Sequence, residues 1–413
     1  MVLDLRCLKF RVDAEKYNSI IIQLDTDVTI NSLARQVKEN IKMTVKSFQQ
    51  DTGSMIYQVT DDTLSKSNIY CEIPYCSADS RYFVFSQTNP EHDRNRSEFV
   101  VCELGTWETH VVGRGIGGIA GTAITHKGIF YYLRNGDKNV IELVKLNLAS
   151  GESEVVHEFQ EKLKLRSLGT VSPDGNFYAY GVTADDKFTQ FGIEVVDLKK
   201  GTKEIIDTDP YILNPHPQFE PSEGKYIMVQ HNRGGQIDET GKLIKLVGEE
   251  GATLYILDVS SHKRTELQVG KPYTTPATGH EAWIGDTKEI LLTVSASGDF
   301  APDKGNLLAV GAGESARVVC KGYSLNHVGT SVDGRYFSCD DTRTKDVIIG
   351  SMKTGKTAVI CHSETSYGRD QATHPHPYLT PDLKWVVFNS DRSGLPQIYV
   401  ASVPDGVIED LEK

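Results

Sequence analysis

One short sequence unit recurs along the chain, and its spacing limits what the chain can fold into. The unit is a short strand, a polar turn of the type Ser-Pro-Asp-Gly, and a second strand rich in aromatic residues. The residues at the centre of these turns are Asp79, Lys127, Asp174, Glu223, Asp286, Asp333 and Asp382. Successive turns are 47 to 49 residues apart, except for one interval of 63 residues. Seven copies at near-constant spacing predict an all-β fold, a seven-bladed β-propeller of four-stranded blades.

The two ends of the repeat array predict how the ring closes. After the strand at 398–403, the remaining sequence is too short and polar to add an outer strand to the last blade. The segment MIYQVTD (55–61) precedes the first complete unit and can supply that strand, which removes an open sheet edge. The long interval contains an inserted segment, 231–251, and long loops on a rigid scaffold often carry function.

Residues 1–45 lie outside the repeat and are predicted to form a small α/β appendage. LRCLKFRV and SIIIQLD have the composition of strands. The stretch that follows predicts a short helix with Asn31 as its N-cap and with Leu33, Val37 and Ile41 on one face. We therefore expect two domains, an N-terminal appendage at 1–45 and a propeller at 46–413.

Charge and cysteine content narrow the class of protein. The chain has 44 basic and 56 acidic residues, a net charge of −12, which argues against nucleic acid or an anionic membrane as the main partner. Seven cysteines without a Cys-x-x-Cys pair indicate reduced thiols in a cytosol-like compartment. The sequence also contains no apparent leader and no apolar run of roughly 18 residues. We expect a cytoplasmic protein that does not associate with membranes.

Five of the twelve histidines are predicted to lie at nearly the same height in the ring. Three of them precede their turn residue by six positions, and the other two precede theirs by seven and by eight. The five are His280, His327, His376, His216 and His374. The strand before each turn is the innermost strand of its blade and lines the channel. The histidines therefore predict a shared site in the channel.

The His-Pro-His sequence at 374–376 is the strongest indication of a metal site. His374 and His376 are two residues apart, so in an extended strand their side chains point to the same side. The flanking Pro375 and Pro377 favour an extended conformation. His280 can provide a third imidazole and Gln371 an amide oxygen. Such donors without a thiolate suit Mn²⁺, Fe²⁺, Ni²⁺ or Zn²⁺.

At these residues the sequence resembles the oligogalacturonate lyase family, whose members are seven-bladed propellers with blades of the TolB and WD40 type. Members use Mn²⁺ to cleave digalacturonate in the cytoplasm. The segments QATHPHPYLTPD (371–382) and TGHEAWIGD (278–286) resemble the metal-binding strands of the family. The resemblance implies Mn²⁺, or another divalent transition metal, as cofactor. It implies the ligands His280, Gln371, His374 and His376. NPHPQFEP (214–221) is similar to the strand with the catalytic histidine, which implies His216 as the base.

The resemblance extends from about residue 46 to the C-terminus, with two departures. The family has an arginine that neutralises the substrate carboxylate, and the matching stretch has Val195 or Val196 in its place. The loop HNRGG at the start of the inserted segment is not typical of the family. Candidates for binding the substrate are therefore Arg233, Arg369, His231 and His327.

The resemblance predicts a metal-dependent lyase acting on short galacturonate oligosaccharides. In β-elimination a base removes the proton at C5, the metal and a cation neutralise the adjacent carboxylate, and the oxygen at C4 departs. One alternative is a uronate or sugar epimerase or isomerase in the same site, which shares the proton abstraction without a leaving group. Another is a non-catalytic sugar-binding or scaffold propeller. The expected partner is a small uronide oligosaccharide, and the oligomeric state is left open.

Overall fold

The computed structural model describes residues 8–11, 21–24, 45–61, 63–89, 97–137, 140–160 and 163–413. The chain divides into two compact units, Met1–Thr44 and Val45–Lys413. In the first unit β1 (Leu8–Arg11) and β2 (Ile21–Leu24) form an antiparallel pair, and both strands agree with the sequence prediction. The helix predicted to begin after Asn31 lies outside the described residues.

The second unit is a propeller of seven antiparallel sheets. Two strands precede the first blade: β3 (Lys46–Gln49) and β4 (Met55–Gln58). Blade 1 contains β5 (Lys66–Asn68), β6 (Tyr82–Thr88), β7 (Ser97–Glu103) and β8 (Thr109–Arg114). Blade 2 contains β9 (Ala123–Ile124), β10 (Ile129–Asn135), β11 (Ile141–Asn147) and β12 (Ser153–Phe159). Blade 3 contains β13 (Leu165–Val171), β14 (Phe177–Thr183), β15 (Phe191–Asp197) and β16 (Thr202–Asp209).

Blade 4 carries the inserted segment as a separate hairpin. Its strands, with the hairpin β19–β20, are β17 (Gln218–Phe219), β18 (Tyr226–His231), β19 (Gln236–Ile237), β20 (Leu243–Lys245), β21 (Thr253–Asp258) and β22 (Arg264–Glu266). Blade 5 contains β23 (Ala277–Trp283), β24 (Ile290–Val294), β25 (Leu307–Val310) and β26 (Arg317–Cys320). Blade 6 contains β27 (Leu325–Thr330), β28 (Tyr336–Asp341), β29 (Asp346–Ser351) and β30 (Thr357–His362). Blade 7 contains β31 (Tyr378–Leu379), β32 (Trp385–Ser390) and β33 (Gln397–Ser402), and the helix α1 (Val407–Glu412) follows.

The ring closes as the sequence predicts, with one addition. The strand β4 pairs antiparallel with β33, placing Tyr57 opposite Val400. The strand β3 pairs in turn with β4, so the last blade has five strands where the repeat predicts four. Joining both ends of the repeat array in one sheet leaves the propeller without an unpaired seam.

Four of the seven repeated turns are held by a serine or threonine and an aspartate two residues later. In blade 3 the hydroxyl of Ser172 donates to Asp174 at 2.6 Å, and the same carboxylate accepts from the backbone of Asn176 at 3.0 Å. Gly175 has a φ of 73°, a left-handed conformation that favours glycine. The equivalent hydroxyl–carboxylate contacts join Ser77 to Asp79, Ser331 to Asp333 and Thr380 to Asp382. The turn sequence thus determines where each innermost strand ends.

The core lies between adjacent blades. Middle strands such as β15 and β28 are buried along nearly their whole length because a blade packs against both of their faces. The aromatic strand after each turn supplies the largest side chains, for example Tyr178 with no exposed surface. This packing holds the innermost strands in fixed positions around the channel. No described helix is long and apolar enough to cross a bilayer. The six described cysteines are free and buried.

Candidate metal centre and active site

One cavity of about 580 Å³ at the end of the channel is lined by all seven blades. Its lining includes one residue from each blade in turn: Tyr70, Ile119, Ser167, His216, His280, His327 and His374. His376 is buried beside these residues, with its ring centroid 4.0 Å from that of His327. No lysine, arginine, aspartate or glutamate is among the described residues that line the cavity.

Three histidines come close enough to hold one metal ion. His327, His374 and His376 each offer a ring nitrogen, and these three atoms lie within 4.8 Å of one another. The ring of His327 lies 5.2 Å from that of His374, measured between centroids. The cluster combines two residues predicted as ligands with His327, which the sequence suggests only as a contact to the substrate.

The hydrogen bonds around the cluster leave one nitrogen of His374 and one of His376 without a partner, and one nitrogen of His327 with a long contact only. His327 Nδ1 lies 3.0 Å from the buried carboxylate of Asp340, which holds the proton on Nδ1. The lone pair of His327 Nε2 faces only a long contact of 3.4 Å with the side-chain amide of Asn326. His374 Nε2 donates to the carbonyl of Gly368 at 2.8 Å, which leaves Nδ1. His374 Nδ1 and His376 Nε2 are buried and have no hydrogen-bond partner. Buried polar atoms normally have partners, and metal-binding imidazoles normally donate their other nitrogen to a carboxylate or carbonyl. The residues therefore fit a divalent transition metal.

His280 and Gln371 border the cluster. The ring centroid of His280 is 4.3 Å from that of His327 and 6.4 Å from that of His376, and its Nδ1 contacts the Tyr70 hydroxyl at 2.9 Å. Gln371 begins a short 3-10 turn at the rim of the cavity. Burial, helped by the neighbouring imidazoles, holds the pKa of His280 and of His376 well below its usual value. Both rings are therefore neutral, the form that binds a metal.

The backbone at the His-Pro-His sequence differs from the prediction. Residues 374–377 are not part of a strand, which begins only at Tyr378, and His376 has a left-handed φ of 42°. The prediction that His374 and His376 lie on one extended strand is therefore wrong, although a ring nitrogen of each comes within 4.8 Å of the other. His376 sits between two prolines whose rings restrict the chain, and Asn68 holds its carbonyl through a 2.6 Å hydrogen bond. A left-handed histidine is strained, and such residues cluster at functional sites.

His216 lies on a matching Pro-His-Pro segment of blade 4, facing a carboxylate. Its Nδ1 is 2.6 Å from Oε1 of Glu72, and its Nε2 accepts from the side-chain amide of Asn214 at 2.9 Å. His216 is 8% exposed and Glu72 is 5% exposed. Burial opposes the charged imidazole, but the attraction of Glu72 outweighs it and raises the pKa of His216. The pair is arranged like a general base with a carboxylate that orients it.

The sequence analysis missed Glu72, although the repeat contains a signal for it. Glu72 lies seven residues before its turn residue Asp79, the same distance that separates His216 from Glu223. Extending the count of positions before each turn to every titratable side chain would have brought Glu72 into the site.

Three of the four predicted substrate-binding residues lie outside the cavity lining. The guanidinium of Arg233 donates to the carbonyls of Glu250, Gly251 and Lys271 at 2.9 to 3.0 Å, so it holds the inserted segment to blade 4. His231 pairs with Asp209 at 2.9 Å. Arg369 is exposed two residues before Gln371. His327 is the predicted substrate contact that does line the cavity.

One arginine outside the predicted set neighbours a residue that contacts His216. Arg166 is half-buried on β13, next to Ser167, whose hydroxyl accepts the backbone N–H of His216 at 3.2 Å. Its guanidinium stacks over the ring of Phe191 at 4.6 Å and donates to the Thr183 hydroxyl at 2.9 Å. Within the described part of the chain it makes no ion pair with a carboxylate.

Comparison of the sequence with known proteins identifies relatives. The oligogalacturonate lyase family model matches residues 327–407. The oligogalacturonide lyase of Pectobacterium atrosepticum is 49% identical over 232 residues, which are 51% of this chain and 55% of that protein. The oligogalacturonate lyase of Dickeya dadantii is 48% identical over 61 residues, 14% of this chain and 16% of that protein. The chain thus spans about half the length of the first relative and less of the second.

Solved structures share the architecture. An oligogalacturonate lyase in complex with manganese superposes with a TM-score of 0.69 at 19% identity, over 88% of this chain and 97% of that chain. An oligogalacturonate lyase from Vibrio parahaemolyticus gives a TM-score of 0.66 at 18% identity over the same shares. At this identity the likeness establishes the fold alone. Family model, curated relatives and seven-bladed fold together confirm the predicted resemblance to oligogalacturonate lyases, with the family model matched at residues 327–407.

Proposed function

We propose that the chain is a metal-dependent lyase that cleaves short galacturonate-type oligosaccharides by β-elimination. The observation that carries the proposal is the meeting of two groups at one cavity. A cluster of three imidazoles with available nitrogens lies beside a histidine–carboxylate pair. The names of the relatives supply the substrate class, since each is called an oligogalacturonate or oligogalacturonide lyase.

In this proposal His327, His374 and His376 would hold the ion, and His280 and Gln371, which border the cluster, could add further donors. Imidazole donors without a thiolate suit Mn²⁺, and the structural relative named above is a manganese complex. When bound, the ion neutralises the uronate carboxylate and stabilises the negative charge that develops beside C5. Asp340 keeps the proton of His327 on Nδ1, so Nε2 remains a donor to the ion.

His216 acts as the base in the same proposal. Its Nε2 accepts the C5 proton once the substrate displaces the amide of Asn214. The electron pair of the C5–H bond forms the C4–C5 double bond, the bond between C4 and the glycosidic oxygen breaks, and that oxygen takes a proton from water. The resulting hydroxide accepts the proton held by His216, which restores the base. Glu72 stabilises the imidazolium that forms, because its carboxylate accepts from Nδ1 at 2.6 Å. The products are an unsaturated uronide and a shortened sugar.

A second cation for the substrate carboxylate is proposed at Arg166. The positions that match the family arginine, Val195 and Val196, are buried valines. Arg166 does not itself line the cavity, but it neighbours Ser167, which does, and it has no acidic partner among the described residues. Arg233 is a weaker candidate because its donors are used by backbone carbonyls. Arg369 remains a candidate at the rim.

The free, buried cysteines suit a reducing cytoplasm, which we propose as the location. The chain has a net charge of −12, so it attracts an anionic sugar only where imidazoles and a cation lie close together. We therefore propose that the substrate is a small uronide that enters the cavity.

The proposal is tested with purified protein, Mn²⁺ and digalacturonate, followed by the ultraviolet absorbance of the unsaturated uronide. We expect product to form, and to disappear with EDTA and in His376→Ala. Metal content measured by mass spectrometry gives a readout independent of turnover, and the exposed His110→Ala is the matched control. Altered sugar stereochemistry without absorbance would indicate an epimerase or isomerase. Metal binding without turnover on a panel of uronides would indicate a non-catalytic propeller.

A further inference from the structure

The inserted segment, residues 231–251, reaches the cavity through one residue. Its hairpin β19–β20 is an addition to blade 4, and no other blade has a counterpart within the described residues. Leu246, which follows β20, lines the cavity together with Asn214, His216 and Gln230. The cavity wall next to the base is therefore partly formed by an element that the repeat does not require.

The two ends of the inserted segment are bound to each other. Gly248 donates its N–H to the carbonyl of Arg233 at 2.7 Å, and Arg233 in turn binds the carbonyls of Glu250 and Gly251. The backbones of Gly234 and Gly248 touch, because a Cβ placed on Gly248 would lie 2.7 Å from the Cα of Gly234. These contacts hold the two ends of the inserted segment together and thereby fix the position of Leu246.

The hairpin also packs on the propeller. Ile237 and Leu246 contact the core cluster that contains Ile212, Leu213 and Phe219. At the turn Asp238 accepts from the backbones of Thr240 and Lys242 at 2.9 and 3.0 Å. Leu243 and Ile244, in contrast, are 47% and 63% exposed and do not line the cavity. One apolar side chain of the hairpin therefore faces the cavity while others face solvent.

A leucine is an unfavourable neighbour for a chain of galacturonates. Every additional sugar carries a carboxylate, and a charge placed against an isobutyl group loses water without gaining a hydrogen bond. The described cavity lining contains no lysine or arginine that would compensate for this loss. A volume of about 580 Å³ accommodates a small ligand but not a polymer.

We propose that the inserted segment limits the length of the uronide, and that Leu246 closes the cavity on the side of blade 4. The inference rests on the proposed lyase function and names the residue that sets the chain length for that site. Without this wall, longer oligogalacturonates extend past His216 over blade 4.

The test compares kcat/KM for hexagalacturonate with kcat/KM for digalacturonate. One variant lacks residues 235–247 and joins Gly234 directly to Gly248, which the contact between the two glycines permits. We expect the hexamer-to-dimer ratio to rise about tenfold or more in this variant, and about threefold in Leu246→Ala, since contacts of this size discriminate by such factors. Leu246→Trp should lower the ratio. Ile244→Ser, on the exposed side of the same hairpin, should leave it unchanged.

Two failures are distinguishable. If the wild-type protein forms unsaturated product but every variant keeps the wild-type ratio, the role of Leu246 is refuted and the lyase function stands. If the wild-type protein forms no unsaturated product from any uronide, the proposed function fails and the inference fails with it. Should the shortened variant unfold by circular dichroism, the two Leu246 substitutions decide between these outcomes.

Discussion

Blades 4 and 7 contain the same Pro-His-Pro motif, but the pKa values of the two histidines are shifted in opposite directions. Pro215-His216-Pro217 and Pro375-His376-Pro377 both have a histidine with a φ of 42°. In both, the carbonyl of the first proline accepts a backbone N–H from the second strand of its blade, from Gln230 at 2.7 Å and from Asn389 at 2.8 Å. The local backbone is thus the same twice, and the difference between the two sites must come from what each imidazole faces.

The neighbours across the channel supply that difference. His216 faces the Glu72 carboxylate at 2.6 Å, and its pKa is raised despite burial. His376 is buried next to His327, His280 and His374, and its pKa is lowered. A raised pKa suits a group that takes up a proton, and a lowered pKa suits a group that offers a lone pair. In the proposed function, one backbone geometry therefore serves a base in one blade and a metal ligand in another.

The largest effects are expected when His216 and His376 are substituted separately. His216→Ala should lower kcat by about 10²- to 10⁴-fold, the usual contribution of a general base, while the metal content stays at the wild-type level. His376→Ala should lose both the metal and the activity. Metal analysis beside the ultraviolet assay separates the two results. Loss of metal in His216→Ala would contradict the assignment of a base.

Removing the carboxylate should make His216 more like His376. Glu72→Gln takes away the charge that favours the imidazolium, so the pKa of His216 falls and the base stays deprotonated to lower pH. The acid limb of the kcat profile should therefore move to lower pH, and kcat should fall by about 10²-fold or more because the imidazole loses its orienting partner.

The matched control is Glu103→Gln, which removes a carboxylate paired with the exposed Arg81. It should change neither the rate nor the profile. A Glu72→Gln enzyme with reduced rate but an unmoved acid limb would mean that Glu72 has only a packing role.

A substitution of Asp340 tests the proposed metal site, because this carboxylate contacts His327. Asp340→Asn replaces the acceptor at His327 Nδ1, so the tautomer is no longer held and metal affinity should weaken by about 10- to 100-fold. Competition with a chromophoric chelator measures the change. At saturating Mn²⁺ the rate should largely recover, and a rate that stays low would assign Asp340 a role beyond the metal.

The smallest effect is expected at Ser167. Its hydroxyl accepts the backbone N–H of His216 at 3.2 Å, and a single hydrogen bond contributes about 1 kcal/mol. Ser167→Ala should therefore reduce kcat by about fivefold, which corresponds to that energy, with unchanged metal content. Steady-state kinetics beside metal analysis checks both, and altered metal binding would show that the two motifs are coupled.

Much of the fold was predictable because its signals are local. Ser-Pro-Asp-Gly turns and aromatic strands recur at a constant interval, and each unit encodes its own hairpin. The closing role of 55–61 followed from the need to pair the last blade. The extra strand β3 did not follow, since KSFQ is short and exposed and has no pattern of its own.

The sequence predicted the level of the candidate site in the channel, but it did not predict which of the side chains contact each other. Counting from the turns placed five histidines at one level, and four of them line one cavity. It did not indicate that His327, more than His280, would approach His374 and His376, nor that Asp340 would orient it. The left-handed backbone conformation of His376 was not predicted either, because a residue before a proline normally adopts an extended conformation.

The sequence by itself determined the repeat, the strand order and the distance of each channel residue from its turn, because these depend on neighbours along the chain. Only the tertiary structure decided which side chains face each other across the ring. Those pairings join residues separated by up to hundreds of positions, such as Glu72 and His216, and they depend on the angle between blades after closure. The same Pro-His-Pro motif acquires its chemistry from that packing, because a carboxylate or another imidazole at close range determines whether a buried ring binds a proton or a metal.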